Sequence, residues 1–342
     1  MIQARNLVKR FGPKVAVNDV SFDVNPGEVL GFLGPNGAGK STTMRMITGF
    51  LPPSAGTVTV NGHDIADQPI NAKKAIGYLP ENAPAYPEMT VLSFLRFVAE
   101  LHGMRGSERE MAVDRVVETC FLRSVLRQPI GTLSKGFRHR TCLAQSLIAD
   151  PPVLVLDEPT DGLDPNQKYE VRQLIERMGT QKAIIISTHI LEEVDAVCSR
   201  IIIIDNGKLV YNGDPDELRK RSRTAGAVIV ATRHTEADRV EAILNGLADT
   251  GDVQRVCTDI REARFTVFPA APPKAQQPPL AVRIADELRG NDITVDELHT
   301  ERGRLDEVFR DITVSETSAW DTPVAQAEQD PEEQKTEKEA AA

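Results

Sequence analysis

The stretch GPNGAGKST at residues 34–42 decides the fold of this chain. It follows the apolar run VLGFL and precedes the helical pattern TMRMITGF, and this strand, loop, helix context is the one in which G-x-x-x-x-G-K-[ST] binds phosphate. Glycines let backbone N–H groups wrap the phosphates, the lysine reaches the β and γ oxygens, and the serine hydroxyl reaches Mg²⁺. The motif predicts a nucleoside triphosphate site formed by Gly34, Asn36, Gly37, Gly39, Lys40, Ser41 and Thr42.

The sequence on both sides of this loop predicts an α/β unit over residues 1–220. Five apolar, mostly β-branched runs read as strands buried on both faces, which is typical of a parallel sheet flanked by helices: EVLGFLG, AIGYLP, VLVLDE, AIIIST and RIIIID. Residues 90–149 differ, because their apolar positions have helical spacing and SERE at 107–110 fits a capping box. We therefore expect a helical insert within the α/β unit.

The C-terminal third has a different pattern of predicted strands and helices. Residues 224–314 predict the order β-α-β-β-α-β and a last helix, which suits a small α+β split βαβ (ferredoxin-like) domain. Its expected core includes Val228, Val230, Leu244, Ile284 and Phe309. Residues 315–342 are rich in carboxylates and poor in apolar side chains, so a disordered acidic tail is predicted there.

Composition limits the classes of function. No run approaches the roughly 20 apolar residues of a membrane helix, and the first residues lack the apolar core of a signal peptide, so we expect a soluble, cytoplasmic chain. A net charge of −10 argues against a nucleic-acid partner, because such proteins carry a basic face. The four cysteines are far apart and form no C-x-x-C pair, which indicates reduced core residues.

Two carboxylates end the apolar strand in VLVLDEP, residues 153–159. Asp157 is placed to hold the Mg²⁺ shell, and Glu158 can reach the water that attacks the γ-phosphate. Adjacent carboxylates at a strand end are also common as a solvated edge. Their combination with the phosphate loop favours a hydrolytic pair.

A second anion-binding pattern, LSKGF, occupies residues 133–137 at the start of a predicted helix. Ser134 and Gly136 offer a hydroxyl and a backbone N–H at the positive end of that helix. Ser134 also fits the role of a helix N-cap, and the two roles are compatible.

These motifs, taken in order, resemble the ATP-binding subunits of ABC transporters. The resemblance covers residues 1–220 and runs through KRFG, the phosphate loop, IGYLPEN, LSKGF, the Asp-Glu strand, DGLD and ISTH. It implies a dimer of two copies, with Ser134 and Gly136 of one copy closing over ATP held by the other. It also implies an ATPase with Glu158 and His189 as catalytic residues, Ser41, Glu81 and Asp157 as Mg²⁺ ligands, Phe11 stacked on adenine, and Asp164 coupling the two sites. For Phe11, a core position is the alternative.

The chain departs from the family pattern at three positions. Glu81 stands where glutamine is usual. In the LSKGF segment, which corresponds to the signature motif of the family, Lys135 and Phe137 stand where glycine and glutamine are usual. Glu81 still offers an oxygen ligand, whereas Phe137 cannot hydrogen-bond a ribose. We expect ATPase activity to survive, since no phosphate-binding group is lost.

Within the family, the chain looks like the ABC-2-type exporters, especially the gliding-motility and multidrug-type ATPases. That resemblance implies a separate transmembrane permease, which would hold the chain at the inner face of the cell membrane and dock near Tyr86 and Met89. A soluble ABC ATPase not coupled to transport, or a nucleotide-gated regulatory module, is the alternative. The first would show paired cassettes, a coiled-coil insert or a basic arm, and the second would lack the carboxylate at position 158.

Overall fold

The structure is a computed structural model that describes residues 1–81, 85–257, 262–270 and 278–314. The predicted acidic tail at 315–342 lies outside these residues. The first ten strands are β1 (Ile2–Phe11), β2 (Lys14–Val24), β3 (Val29–Leu33), β4 (Ala55–Val60), β5 (His63–Asp64), β6 (Ile76–Leu79), β7 (Val153–Asp157), β8 (Ala183–Thr188), β9 (Arg200–Asp205) and β10 (Lys208–Gly213). The helices among them are α1 (Lys40–Ile47), α2 (Pro69–Lys74), α3 (Val91–Leu101), α4 (Gly106–Thr119), α5 (Lys135–Leu147), α6 (Pro165–Gly179), α7 (Leu191–Val197) and α8 (Pro215–Arg219).

A six-stranded sheet with the order β10-β9-β3-β8-β7-β6 forms the centre of the molecule. Its neighbouring strands are parallel except for β9 and β10, which are antiparallel. Every residue of β3, β7 and β8 is buried, as the continuous apolar runs predicted. The carboxyl ends of these three strands share one edge, where ligands bind in open α/β sheets.

The two faces of this sheet pack on different partners. Val153 and Val155 of β7 join a core with the antiparallel sheet β2-β1-β4-β5 and helix α1, whereas Leu154 and Leu156 join a core with the helical insert. Successive side chains of a strand point to opposite faces, so a fully apolar strand serves both cores at once.

Helices α3, α4 and α5 form the predicted insert. Thr90 caps α3 by accepting a hydrogen bond from the backbone N–H of Ser93 at 3.2 Å. The predicted capping box at 107–110 is wrong, because α4 begins at Gly106 and its N-cap residue, Arg105, makes no side-chain cap. Ser107 therefore lies inside the first turn rather than before it.

A third sheet follows, with strands β11 (Val228–Arg233), β12 (Thr250–Cys257), β13 (Glu262–Pro269) and β14 (Val295–Thr300) and helices α9 (Ala237–Gly246) and α10 (Leu280–Gly290). The strand order is β12-β13-β11-β14 and all three pairings are antiparallel, in agreement with the predicted split βαβ unit. Its core contains four of the five expected residues, Val228, Val230, Leu244 and Ile284.

The last helix, α11 (Leu305–Val314), packs elsewhere. Leu305 and Val308 share a buried cluster with Leu33, Val194, Ile201, Ile203, Tyr211 and Leu218, and Phe309 packs against that cluster. The assignment of Phe309 to the core of the C-terminal sheet is therefore wrong: the chain returns to the first unit after β14. No helix in the described part of the chain is long and apolar enough to cross a membrane.

Candidate active site

The phosphate loop joins the buried strand β3 to helix α1. Gly37 and Gly39 have φ angles of 83° and 110°, a region that glycine adopts without steric cost. A Cβ at Gly34 would lie 2.3 Å from the carbonyl oxygen of Ile204, and one at Gly39 would lie 2.6 Å from that of Ala16. The loop therefore needs glycine at 34 and 39 for space.

Lys40 lies inside this loop with only 7% of its surface exposed. Its Nζ donates to the carbonyl oxygens of Gly34 at 2.7 Å and Pro35 at 3.2 Å. Burial lowers the pKa of Lys40, and three carboxylates act in the opposite direction, those of Glu158, Asp157 and Glu81. The structure thus brings together one lysine and three acids that are far apart in sequence.

Ser41 and Thr42 are half-buried in the first turn of α1, beside the exposed Asn36 and Gly37 at the tip of the loop. The first backbone N–H groups of a helix have no partner within the helix, and they carry its positive partial charge. This end of α1 is consequently suited to an anion.

Asp157 ends β7 and is buried. It pairs with Ser187 of β8 in the sheet register, and the Ser187 hydroxyl donates a hydrogen bond to Asp157 Oδ1. Its buried position excludes the interpretation of Asp157 as part of a solvated edge.

Glu158 has a φ of 52°, in the left-handed region that non-glycine residues rarely adopt. Its backbone N–H donates to the Ser187 carbonyl at 2.9 Å, which holds the turn in place. Its Oε1 lies 2.9 Å from Nδ1 of His189, and the exposed fractions are 13% for the Glu158 side chain and 55% for that of His189. The carboxylate and the imidazole predicted from separate motifs therefore form one pair at the edge of the sheet.

Behind this pair lies Glu193, a buried acid that the sequence analysis missed. It accepts hydrogen bonds from the hydroxyls of Thr160 and Thr188. Burial raises the pKa of Glu193, and the charge of Lys168 opposes this rise. Glu193 thereby connects the segment after β7 to the segment after β8. The only sequence signal was an acidic residue on the inner face of α7.

The LSKGF segment opens helix α5. Ser134 is exposed and accepts a hydrogen bond from the backbone N–H of Phe137 at 3.3 Å, so it is the N-cap of this helix. A Cβ at Gly136 would lie 2.4 Å from Oε1 of Gln167, so the start of α5 packs tightly on α6.

Phe137 is half-buried and packs against the core of the helical insert. The guanidinium of Arg140 lies 6.0 Å from its ring and 5.8 Å from that of Phe121, and Arg140 donates to Glu170 at 2.6 Å. The aromatic replacement at position 137 thus has a local structural role.

Three more predicted site residues lie on other segments of the chain. Phe11, at the end of β1, is 48% exposed with Lys9 Nζ 5.4 Å from its ring centre, which excludes the core position considered for it. Glu81 is exposed after β6, and residues 82–84 lie outside the described ranges. Asp164 is the N-cap of α6 and accepts from the backbone N–H of Gln167 at 2.9 Å.

The residues present fit a magnesium nucleotide. The crowded glycines leave the backbone of the loop open to a ligand, and Ser41 and Asp157 supply the oxygen atoms that Mg²⁺ prefers. Among the described residues there is no group of three or more His, Cys, Asp or Glu that could hold a metal by itself. Magnesium commonly takes one or two protein ligands and completes its shell with phosphate and water.

Comparisons with known proteins identify the family and the fold. The sequence profile of the family described as "ABC transporter" matches residues 17–161. The linearmycin resistance ATP-binding protein of Bacillus subtilis (strain 168) is 32% identical over 303 residues, which are 88% of this chain and 96% of that protein. The Nod factor export ATP-binding protein I of Burkholderia lata is 38% identical over 221 residues, 64% of this chain and 72% of that protein.

A probable multidrug ABC transporter ATP-binding protein of Escherichia coli (strain K12) is 37% identical over 226 residues, and the match spans 65% of this chain but only 38% of that longer protein. Among solved structures, an ATP-binding subunit of an ABC transporter has a TM-score of 0.60 and 29% identity over 65% of this chain and 92% of its own. A dimeric cassette in a post-hydrolysis state with ADP and Pi shares the fold, with a TM-score of 0.59 and 23% identity over 63% of this chain and 98% of its own.

Proposed function

The chain belongs to the ABC transporter family of ATPases, and from that premise we propose that it dimerises around two ATP molecules and drives export through a separate membrane permease. The 2.9 Å contact between Glu158 and His189 at the end of the Asp157 strand carries this proposal. It places a carboxylate and an imidazole beside a glycine loop that contains a buried lysine.

In the proposed mechanism, each copy holds the phosphates of its own ATP. Backbone N–H groups of residues 34–42 and the ammonium of Lys40 bind the β and γ oxygens, and Phe11 stacks on the base. Lys40 is already held inside the loop by two carbonyl oxygens, so little side-chain freedom is lost when it exchanges them for phosphate. Ser41, Asp157 and Glu81 would hold Mg²⁺, which supplies positive charge to the phosphate oxygens.

Glu158 accepts the proton of the attacking water, and His189 orients that carboxylate and contacts the γ-phosphate. The left-handed backbone at Glu158 aims the side chain, because the turn is fixed by a hydrogen bond to the neighbouring strand. Glu193 supports the arrangement from behind by linking the segments that carry Glu158 and His189.

The second copy completes the site. Ser134 and Gly136 at the positive end of α5 would contact the γ-phosphate of the ATP held by the partner, adding a hydroxyl, backbone N–H groups and the helix dipole. As N-cap, Ser134 still has an exposed hydroxyl, so its structural and ligand-binding roles are compatible. Asp164, the N-cap of α6, would couple the two ATP sites of the dimer.

We propose that the permease docks beside α3 and the loop after β6. A surface cavity of about 470 Å³ lies there, and its lining includes Arg45, Phe50, Tyr78 and His102. Phe50 is 75% exposed and Tyr86 is 54% exposed, and the Tyr86 ring packs edge-on against Phe97 at 5.8 Å. Exposed aromatic rings of this size are candidate contacts for a partner protein. Relatives named for multidrug transport and Nod factor export support a role in export. The ABC-2-type assignment and a location at the inner face of the membrane are part of the same proposal.

The variant Glu158→Gln tests the hydrolytic assignment. It keeps the size and hydrogen bonding of the side chain but removes the proton acceptor, so ATP hydrolysis should fall by about 10²- to 10⁴-fold while ATP binding persists. ATP should then trap a dimer, which sedimentation measures. The exposed Glu192→Gln is the matched control and should retain wild-type turnover. Undiminished hydrolysis by Glu158→Gln, or the absence of a dimer with ATP, would contradict the proposal.

A further inference from the structure

Lys135, a residue that the family pattern does not predict, lies in a defined contact. Its Nζ pairs with Asp161 Oδ2 at 2.8 Å, although both side chains are largely exposed, at 67% and 55%. Its aliphatic stem lies across Gly162, because a Cβ on that glycine would be 2.3 Å from Lys135 Cδ. Gly162 has a φ of 69°, a backbone conformation that favours glycine.

Asp161 belongs to the turn that carries the proposed catalytic carboxylate. Its backbone N–H donates to the carbonyl oxygen of Glu158 at 3.1 Å. The hydrogen bond from Lys135 is the main cause that lowers the pKa of Asp161, and His139 and His189 add smaller effects in the same direction. The lysine is thus connected to the turn of Glu158 by one ion pair and one backbone hydrogen bond.

The same face of α5 carries a second titratable group near this turn. His139 lies four residues after Lys135, hence on the same side of the helix, and it is buried. Burial is the main cause that lowers the pKa of His139, and the charge of Asp161 and the backbone of Glu158 act in the opposite direction. His139 lies inside the protein, whereas the ion pair of Lys135 lies at the surface.

We propose that Lys135 is a positioning residue that ties the signature segment of α5 to the turn of Glu158 within one chain. This inference rests on the proposed function. In the dimer, the signature faces the ATP of the partner, whereas Glu158 faces the ATP of its own chain. Binding of the partner's ATP at α5 therefore helps to hold Glu158 in place through Lys135 and Asp161, which raises the rate of hydrolysis in the closed dimer.

The experiment is a double-mutant cycle with two readouts. Lys135→Met keeps the apolar stem over Gly162 and removes the charge, and Asp161→Asn removes the partner charge with little change of shape. An exposed ion pair contributes little interaction energy, so each variant should lower kcat by only about two- to five-fold. The ATP concentration for half-maximal dimer formation, measured with Glu158→Gln in each background, should stay unchanged.

The combined variant should hydrolyse ATP no more slowly than either single variant, since Lys135 acts only through Asp161. Lys135→Arg should retain the wild-type kcat, and Lys74→Met, which changes an exposed lysine of α2, should have no effect. An unchanged kcat in Lys135→Met overturns the inference. So does a further loss when Lys135→Met is added to Asp161→Asn, and so does a shifted ATP dependence of dimer formation, which would make Lys135 a phosphate ligand. A Glu158→Gln chain that forms no dimer with ATP would instead contradict the proposed function.

Discussion

At the residue scale, the site depends on acids held in three different environments. Asp157 is buried with a hydroxyl donor, Glu158 is mostly buried in a strained turn, and Glu193 is buried behind both. These surroundings give chemically similar groups different contacts: Asp157 accepts from the Ser187 hydroxyl, Glu158 pairs with the His189 imidazole, and Glu193 accepts from two threonine hydroxyls.

Glu193 gives a prediction with a pH dependence. Its pKa is raised from the ordinary value of 4.5 by burial, so its contribution to folding is present below that pH and is lost as the pH rises through the folded-state value. Glu193→Gln stays neutral and can bond the same hydroxyls. The free energy of unfolding of the variant relative to wild type should therefore increase from pH 4.5 towards neutral pH.

Thermal unfolding of both proteins across that range measures the difference. Glu193→Ala serves as the contrast, because it leaves the Thr160 and Thr188 hydroxyls without their acceptor and should destabilise the fold by about 2–4 kcal/mol. A pH-independent difference between Glu193→Gln and wild type would show that burial does not control this carboxyl group.

At the scale of elements, two glycines in the turn from β3 to α1 separate two reasons for glycine in the phosphate loop: a positive φ and the lack of space for a side chain. Gly37→Ala and Gly39→Ala both place a side chain at a positive φ, which costs about 1–2 kcal/mol. A Cβ at Gly37 meets no atom within 4 Å, whereas one at Gly39 would lie 2.6 Å from the carbonyl oxygen of Ala16. Gly39→Ala should lose an additional 1–3 kcal/mol, roughly the cost of overpacking, and most of its ATP affinity.

Chemical denaturation and ATP titration of the two variants provide the comparison. Gly37→Ala is the matched control, because its φ is also positive and its Cβ meets no steric conflict. Equal losses of stability in both variants would mean that backbone conformation alone, rather than the close approach to β2, requires glycine at position 39.

At the scale of the whole molecule, the C-terminal sheet is inserted between α8 and α11. Both of these helices pack on the core of the ATP-binding cassette, residues 1–220. The two connections run side by side: Gly226 N–H donates to the Glu301 carbonyl at 3.0 Å, and Glu301 N–H donates to that of Ala227 at 2.7 Å. Ser222 and Glu307 add a side-chain hydrogen bond between the flanking segments. We propose that the sheet is an accessory domain of 224–314 whose last helix serves the cassette of 1–220.

Two deletions separate these roles. Removal of everything from Arg223 onward takes away α11 and exposes the cluster around Tyr211 and Leu218, so the free energy of unfolding should fall by about 3–6 kcal/mol for Leu305 and Val308 alone. Excision of residues 227–301 with a short glycine linker keeps α11 and should leave the melting temperature of the cassette and its ATP affinity nearly intact. Calorimetry and ATP titration decide between them, and equal melting temperatures for the two deletions would contradict the role assigned to α11.

The sequence by itself determined the elements that local patterns encode. The glycine loop, the apolar strands buried on both faces and the helical insert follow from residue type and spacing, because strand and helix periods are short-range properties. The ordered motifs likewise predict one type of site for Asp157, Glu158, Ser134 and His189. The β-α-β-β-α-β order of the C-terminal elements could also be predicted from the sequence, since each strand and helix has its own apolar period.

Only the tertiary structure decided which of these groups meet. The pairing of Glu158 with His189, the support from Glu193 and the contact of Lys135 with Asp161 join residues that are 5 to 33 positions apart or are carried on different elements. The core on which α11 packs could not be predicted for the same reason. The sequence of an amphipathic helix shows an apolar face, but it does not show which core buries that face. Packing between elements is a long-range property, and a single sequence records it only weakly.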